Sequence, residues 1–147
     1  MITHQVESIV AIRDEFEPLC RKHWEEMARH RYDAEFSIDF DTYGRLEDAG
    51  IFFLTTARDE GRLIGYIATM VTPHLHCKMT VAINDALYLR KEYRKSGEFI
   101  KLLRFTESLI DADYSYIYTP INKSFSALLV REGYTEIECN HEKKLRR

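Results

Sequence analysis

The chain has 147 residues, with 21 Lys and Arg against 24 Asp and Glu for a net charge of −3. That length suits a single domain over 1–147 with a substantial core, and the acidic balance counts against bulk electrostatic binding to nucleic acid. No apolar run is long enough to span a bilayer, Met1-Ile2-Thr3-His4-Gln5 lacks a basic stretch leading into an apolar core, and Cys20, Cys77 and Cys139 are widely spaced, so a cytoplasmic protein with free thiols and no membrane partner is expected.

Ile9, Ile12, Phe16, Leu19, Cys20, His23 and Met27 recur at three- and four-residue steps, which predicts an amphipathic helix of about five turns. A looser segment from Arg31 to Asp39 leads to a short helix near 41–49, stopped by Gly50. Residues 51–57 read as a buried strand, Asp59-Glu60-Gly61-Arg62 as a hairpin turn and 63–71 as the partner strand. After a polar turn around Pro73–Lys78, a third strand is predicted over 79–89. A helix over 97–110 follows, with Phe99, Leu102, Leu103 and Thr106 on one face. A fourth strand is read at 114–119, a short helix at 124–131 ending at Gly133, and a last strand at 135–145. An antiparallel run followed by strand–helix–strand–helix–strand predicts an α+β fold, with a mixed, mostly antiparallel sheet flanked by helices.

The segment Leu87–Phe99 passes from strand through a basic turn into a helix N-terminus, the arrangement that presents backbone N–H groups to a phosphate. Arg90, Lys91, Arg94 and Lys95 add positive charge there; the alternative is a solvated basic connection. Leu87-Tyr88-Leu89, then Glu92-Tyr93-Arg94 and Gly97, resembles motif A of the GNAT acyl-CoA transferase superfamily. Asn122, Leu128 and Arg131-Glu132-Gly133-Tyr134 are similar to motif B of that family. His23-Trp24-Glu25-Glu26 and Pro73-His74-Leu75-His76 resemble a group of short GNAT proteins frequent in phage and prophage genomes. Two positions depart from the pattern: Phe99 stands where motif A has Gly or Ala, and Leu129 where motif B often has a general-acid Tyr.

The resemblance implies a GNAT-like fold and acyl transfer from acetyl-CoA to an amine, carried by a small molecule or a protein, without a metal. It implies that Leu87, Tyr88 and Leu89 line pantetheine, and that the Lys95, Ser96, Gly97, Glu98 and Phe99 amides hold the pyrophosphate with Arg94 on the basic flank. Asn122 matches the residue that contacts the pantetheine arm, or else is a helix N-cap residue. Asp85, on the motif A strand, is the candidate base, placed by alternation on one face with Ile83 and Leu87; the alternative is a carboxylate that bonds backbone. Tyr118, Tyr116, Ser126 and solvent are the candidates for the general acid, with Tyr118 preferred. The region before the second helix interleaves Asp33, Glu35, Asp39 and Asp41 with Tyr32, Phe36, Phe40 and Tyr43, which suits a cationic amine. His74 and His76 lack further ligands at zinc spacing and fit an acceptor pocket, a proton relay or a solvated hairpin end. A scaffold without turnover, binding CoA or a partner, and a nucleic-acid modification enzyme are the alternatives. A homodimer is left open.

Overall fold

The computed structural model describes residues 1–27, 34–119, 123–138 and 141–145. They fall into two compact units, Met1–Ile117 and Tyr118–Arg147.

In the first unit, the apolar runs either side of Glu60-Gly61 form β2 (Phe52–Asp59) and β3 (Arg62–His74), paired antiparallel. Glu60 and Gly61 take φ of 48° and 81°, the positive values a two-residue hairpin demands. β1 (Ile2–Glu7) pairs antiparallel with β2, and β4 (Met79–Leu89) antiparallel with β3. β5 (Tyr114–Tyr116) pairs parallel with β4, giving the order β1-β2-β3-β4-β5.

Helices cover both faces of this sheet. α1 (Arg13–Met27) and α2 (Phe40–Asp48) close one side over Leu19, Leu54 and Tyr66, all fully buried. α3 (Glu98–Glu107) closes the other through Leu102, Leu103 and Thr106, and Thr106 Oγ1 meets Thr55 Oγ1 at 2.6 Å. Each fully buried Leu or Ile contributes about 1.5–3 kcal/mol, so the apolar layers set this frame more than any one polar pair. The α3 connection joins parallel neighbours β4 and β5, as a crossover must. In the second unit α4 (Lys123–Arg131) ends at Gly133, φ 94°, where Tyr134 N–H bonds Leu129 C=O at 3.0 Å, a Gly-type helix stop.

The mixed sheet and β4 agree with the sequence expectation, and three elements differ. β1 is additional to the strands expected from the sequence; its polar, alternating Ile2–Glu7 sequence forms an edge strand with one neighbour. The first helix starts at Arg13 because Ser8 organises turns before it, bonding Glu47 at 2.7 Å and receiving Ala11 N–H at 3.3 Å. The expected last strand is absent among the described residues: Ile137 and Leu145 stay 63% and 84% exposed between charged neighbours, leaving no apolar face to bury.

Candidate active site

β4 carries the site because its two edges behave differently. β5 matches only Val81, Ala82 and Ile83, and beyond Ile83 no strand among the described residues pairs with the outer edge of β4. Arg90 N–H bonds Ile64 C=O at 2.9 Å, so by antiparallel alternation Tyr88 and Ala86 turn their backbone toward β3, and Leu87 and Leu89 turn theirs to the open edge. The Leu89 carbonyl receives Arg94 Nε at 2.7 Å, and Leu87 is the other residue that turns its main chain to that edge.

The strand runs directly into the basic turn. A 3-10 turn at Lys91–Tyr93 precedes Gly97, which N-caps α3 at φ 79°, ψ 0°, a left-handed conformation that only Gly adopts cheaply. A Cβ on Gly97 would meet no atom within 4 Å, so backbone conformation, not crowding within the chain, requires Gly here. Of the five expected phosphate amides, Ser96 N–H turns inward to Tyr93 C=O at 3.3 Å. The Lys95, Gly97, Glu98 and Phe99 amides remain at the helix start, where the dipole favours an anion by about 0.3–1 kcal/mol. The side chains of Glu98 and Phe99 are buried, at 4% and 8% exposure. Glu98 meets Lys101 Nζ at 2.5 Å and lies 3.6 Å from His4 Nε2. Its carboxylate therefore sits inside the protein, and the Phe99 ring fills core.

On the opposite side, facing α1 and α2, a β-bulge decides the geometry. Ala68 pairs with Ala86 but Thr69 with Asn84, so Asp85 is the extra residue. The bulge breaks the alternation assumed from sequence. Asp85 accepts a short hydrogen bond from Tyr43 OH of α2, on the side where Ala86 and Tyr88 pack, not the Leu87 side. Burial, reinforced by Asp85, raises the Tyr43 phenol well above its ordinary range, so it stays protonated and donates.

A polar strip continues along this face. His23 Nδ1 and Tyr66 OH share a 2.8 Å hydrogen bond, and the His23 ring stacks on Tyr88 at 5.1 Å. Burial lowers His23 to about 4 and raises the Cys20 thiol and the Tyr66 phenol. Tyr88, pushed up to about 12 by burial and Glu26, donates to Glu26 at 2.7 Å. Arg94 also bonds Glu26 at 2.7 Å and lies 5.2 Å over the Tyr88 ring, so its guanidinium is engaged with α1 and not with the helix end. Asp39, expected in an acidic acceptor lining, caps α2 through Thr42 N–H at 2.9 Å; Phe36 lies 6.2 Å from the Trp24 ring.

The remaining sequence candidates lie elsewhere. Asn122, Tyr32 and Asp33 fall outside the described residues. Tyr118 opens the second unit, 49% exposed. In that unit Leu129 is buried and Ser126 Oγ donates to Glu136. His74 Nδ1 lies 3.1 Å from Cys77 Sγ at the β3–β4 turn. Among the described residues, no group of three or more His, Cys, Asp or Glu side chains is placed to hold a metal, and no helix is long and apolar enough to cross a membrane. Sequence reasoning missed His23, Glu26 and Tyr66 as a unit. The available signal was a His and a Glu three apart on the otherwise apolar face of a helix.

No family model matches the chain, and no curated protein matches it in sequence. Solved structures do match over its whole length. Ribosomal-protein-alanine N-acetyltransferase from Brucella melitensis is 14% identical, with 100% of both chains covered and a TM-score of 0.69. An aminoglycoside acetyltransferase from an uncultured soil metagenomic sample is 13% identical over 99% of this chain and 96% of its own, with a TM-score of 0.75. Glucosamine-6-phosphate N-acetyltransferase from Arabidopsis thaliana is 11% identical over 99% of each chain, with a TM-score of 0.73.

The fold is GNAT-like. In this GNAT-like frame the open β4 edge, the basic turn and the α3 N-terminus are consecutive in sequence and adjoin in space. The Asp85–Tyr43 pair lies one bulge upstream, on the α1 and α2 side.

Proposed function

We propose that the chain is a single acyltransferase domain that moves an acetyl group from acetyl-CoA directly to a primary amine, on a small cationic molecule or a Lys side chain. The observation that carries this reading is the outer edge of β4, without a strand partner among the described residues beyond Ile83 and leading into a left-handed Gly97 at a helix start. That pairing offers main-chain groups to an amide-bearing arm and, next to it, N–H groups to a diphosphate. The proteins of similar fold are described as acting on a ribosomal-protein alanine, aminoglycosides and glucosamine-6-phosphate, which favours nitrogen as the acceptor atom.

Leu87, Tyr88 and Leu89 would flank pantetheine, and the Lys95, Gly97, Glu98 and Phe99 amides the diphosphate. Acetyl-CoA supplies an activated thioester. The chain must then neutralise the amine, place it and stabilise the carbonyl oxygen. Asp85, exposed and held by Tyr43, takes the ammonium proton directly or through water. The Leu87 N–H at the open edge is the candidate oxyanion donor. Tyr118 remains the preferred proton donor to the leaving thiolate.

A catalytically silent CoA-binding scaffold is the second reading, favoured by the buried Leu129 at the position of the motif B Tyr. Thioester consumption with a panel of primary amines separates the two. Turnover is expected with at least one amine, and Asp85→Asn is expected to cut it about 100-fold with coenzyme A affinity nearly unchanged. Binding without turnover across the panel would favour the scaffold, and an unaffected rate in Asp85→Asn would remove Asp85 from the chemistry.

A further inference from the structure

His23 and Glu26 stand three residues apart on α1, so their side chains leave the same face, and both grip Tyr88. The His23 ring stacks on the Tyr88 ring at 5.1 Å with 27° between planes, and Glu26 accepts Tyr88 OH at 2.7 Å. Glu26 also accepts Arg94 NH2 at 2.7 Å and has Lys91 Nζ at 3.8 Å. Arg94 in turn closes the start of the basic turn, its Nε donating to Leu89 C=O at 2.7 Å. One carboxylate on α1 thus joins the end of β4 to the turn that follows it. Arg94 makes three directed contacts, with Glu26, Leu89 C=O and the Tyr88 ring, and none of them is at the helix start.

We infer that Glu26 is a positioning residue of the donor site: with Arg94 it fixes the shape of the Leu89–Gly97 turn, and with His23 it fixes Tyr88. This rests on the reading that the turn holds the diphosphate of coenzyme A. Arg94 then acts on the cosubstrate through the turn and not as a phosphate ligand. The Arg94 guanidinium bridges the Leu89 carbonyl and the Glu26 carboxylate from two separate nitrogens, Nε and Nη2, held in a fixed fork that the single Nζ of a Lys does not reproduce. A Lys keeps the charge and loses the bridge. The part-buried His23–Tyr66 bond anchors the imidazole that stacks on the Tyr88 ring, so the His-x-x-Glu spacing on α1 and the Tyr and Arg of the β4 segment form one polar unit.

The test is calorimetric titration of coenzyme A into the wild-type chain, Glu26→Gln, Arg94→Gln, Arg94→Lys and the Glu26→Gln/Arg94→Gln double variant, at a temperature well below every melting midpoint. Each single variant is expected to weaken binding about tenfold, Arg94→Lys as much as Arg94→Gln. The double variant is expected to be no weaker than either single one, the signature of residues acting together. Kinetically, the KM for acetyl-CoA rises and kcat holds. A role in stability alone would lower melting points and leave affinity untouched, which overturns the inference. So does unchanged or tighter binding by Glu26→Gln, or wild-type affinity in Arg94→Lys, which marks direct phosphate contact. Should Glu26→Gln fail to fold, Arg94→Lys decides alone. No binding by the wild-type chain defeats the donor-site reading itself, and this inference with it.

Discussion

His23 shows how much a single side chain on this face depends on its surroundings. Burial lowers it from 6.5 to about 4, so the folded chain keeps it neutral while the unfolded chain takes up a proton below about pH 6.5. The unfolded state therefore binds more protons between pH 6.5 and 4, and stability rises with pH through that window, by at most roughly 1.4 kcal/mol per pH unit. Glu26 behaves oppositely in origin: burial works against its ionisation, but Tyr88 and Arg94 hold its carboxyl below 4.5, so its contribution is present above that value and lost at lower pH. Unfolding midpoints measured from pH 4.5 to 7 should rise more steeply in the wild-type chain than in His23→Gln. Equal slopes would show that His23 is not the buried neutral group described. Gly97 was legible from sequence because strand, basic turn and helix flank it. Asp85 was legible as a residue but not in its direction, since one bulged residue reverses the face that alternation assigns. The sequence points to Tyr43 as part of an acceptor pocket but not to its bond with Asp85, a contact between elements that spacing along the chain cannot reveal.

At the scale of elements, turn chemistry marked the boundaries better than propensity did. β4 has the bounds expected, Met79 to Leu89, because a polar turn precedes it and a basic turn follows. The edge strand β1 and the absence of a strand among the described residues after Gly133 are two sides of one limitation: a polar alternating stretch becomes a strand only if a neighbour accepts its ladder. The β3–β4 pairing makes a sharp demand at Gly65. A Cβ there would sit 2.7 Å from Leu89 Cδ1 and 2.9 Å from the Tyr88 carbonyl oxygen, and a main-chain atom cannot step aside as a flexible side chain can. Gly65→Ala is expected to cost about 1–3 kcal/mol. It should also weaken coenzyme A binding, because the displaced backbone is the Tyr88–Leu89 edge. Thermal melting and the same titration check both effects; a melting point within a degree of wild type would mean the strands are not packed this closely.

For the molecule as a whole, the sheet divides its labour between two faces and one edge. The α3 side is largely apolar packing around the Thr55–Thr106 pair and the buried Glu98; the α1 and α2 side carries the Asp85–Tyr43 pair and the His23, Tyr66, Tyr88 and Glu26 contacts. The open edge of β4 separates them and delivers the chain into the basic turn. The fold class was readable from the order of elements, and the motif A part of the GNAT resemblance rested on residues of β4 and the turn that follows it. Harder to read was the part of the site assembled across distance, such as Glu26 against Arg94 or Tyr43 against Asp85, since no local pattern encodes which helix faces which strand. The measurement that bears most directly on the whole account is calorimetry with coenzyme A on the wild-type chain and on Gly97→Glu, whose fold is checked by circular dichroism. The expected result is heat of binding and a raised melting temperature for the wild type, both lost in Gly97→Glu. Absence of binding by the wild type, or equal affinity in the variant, would contradict it.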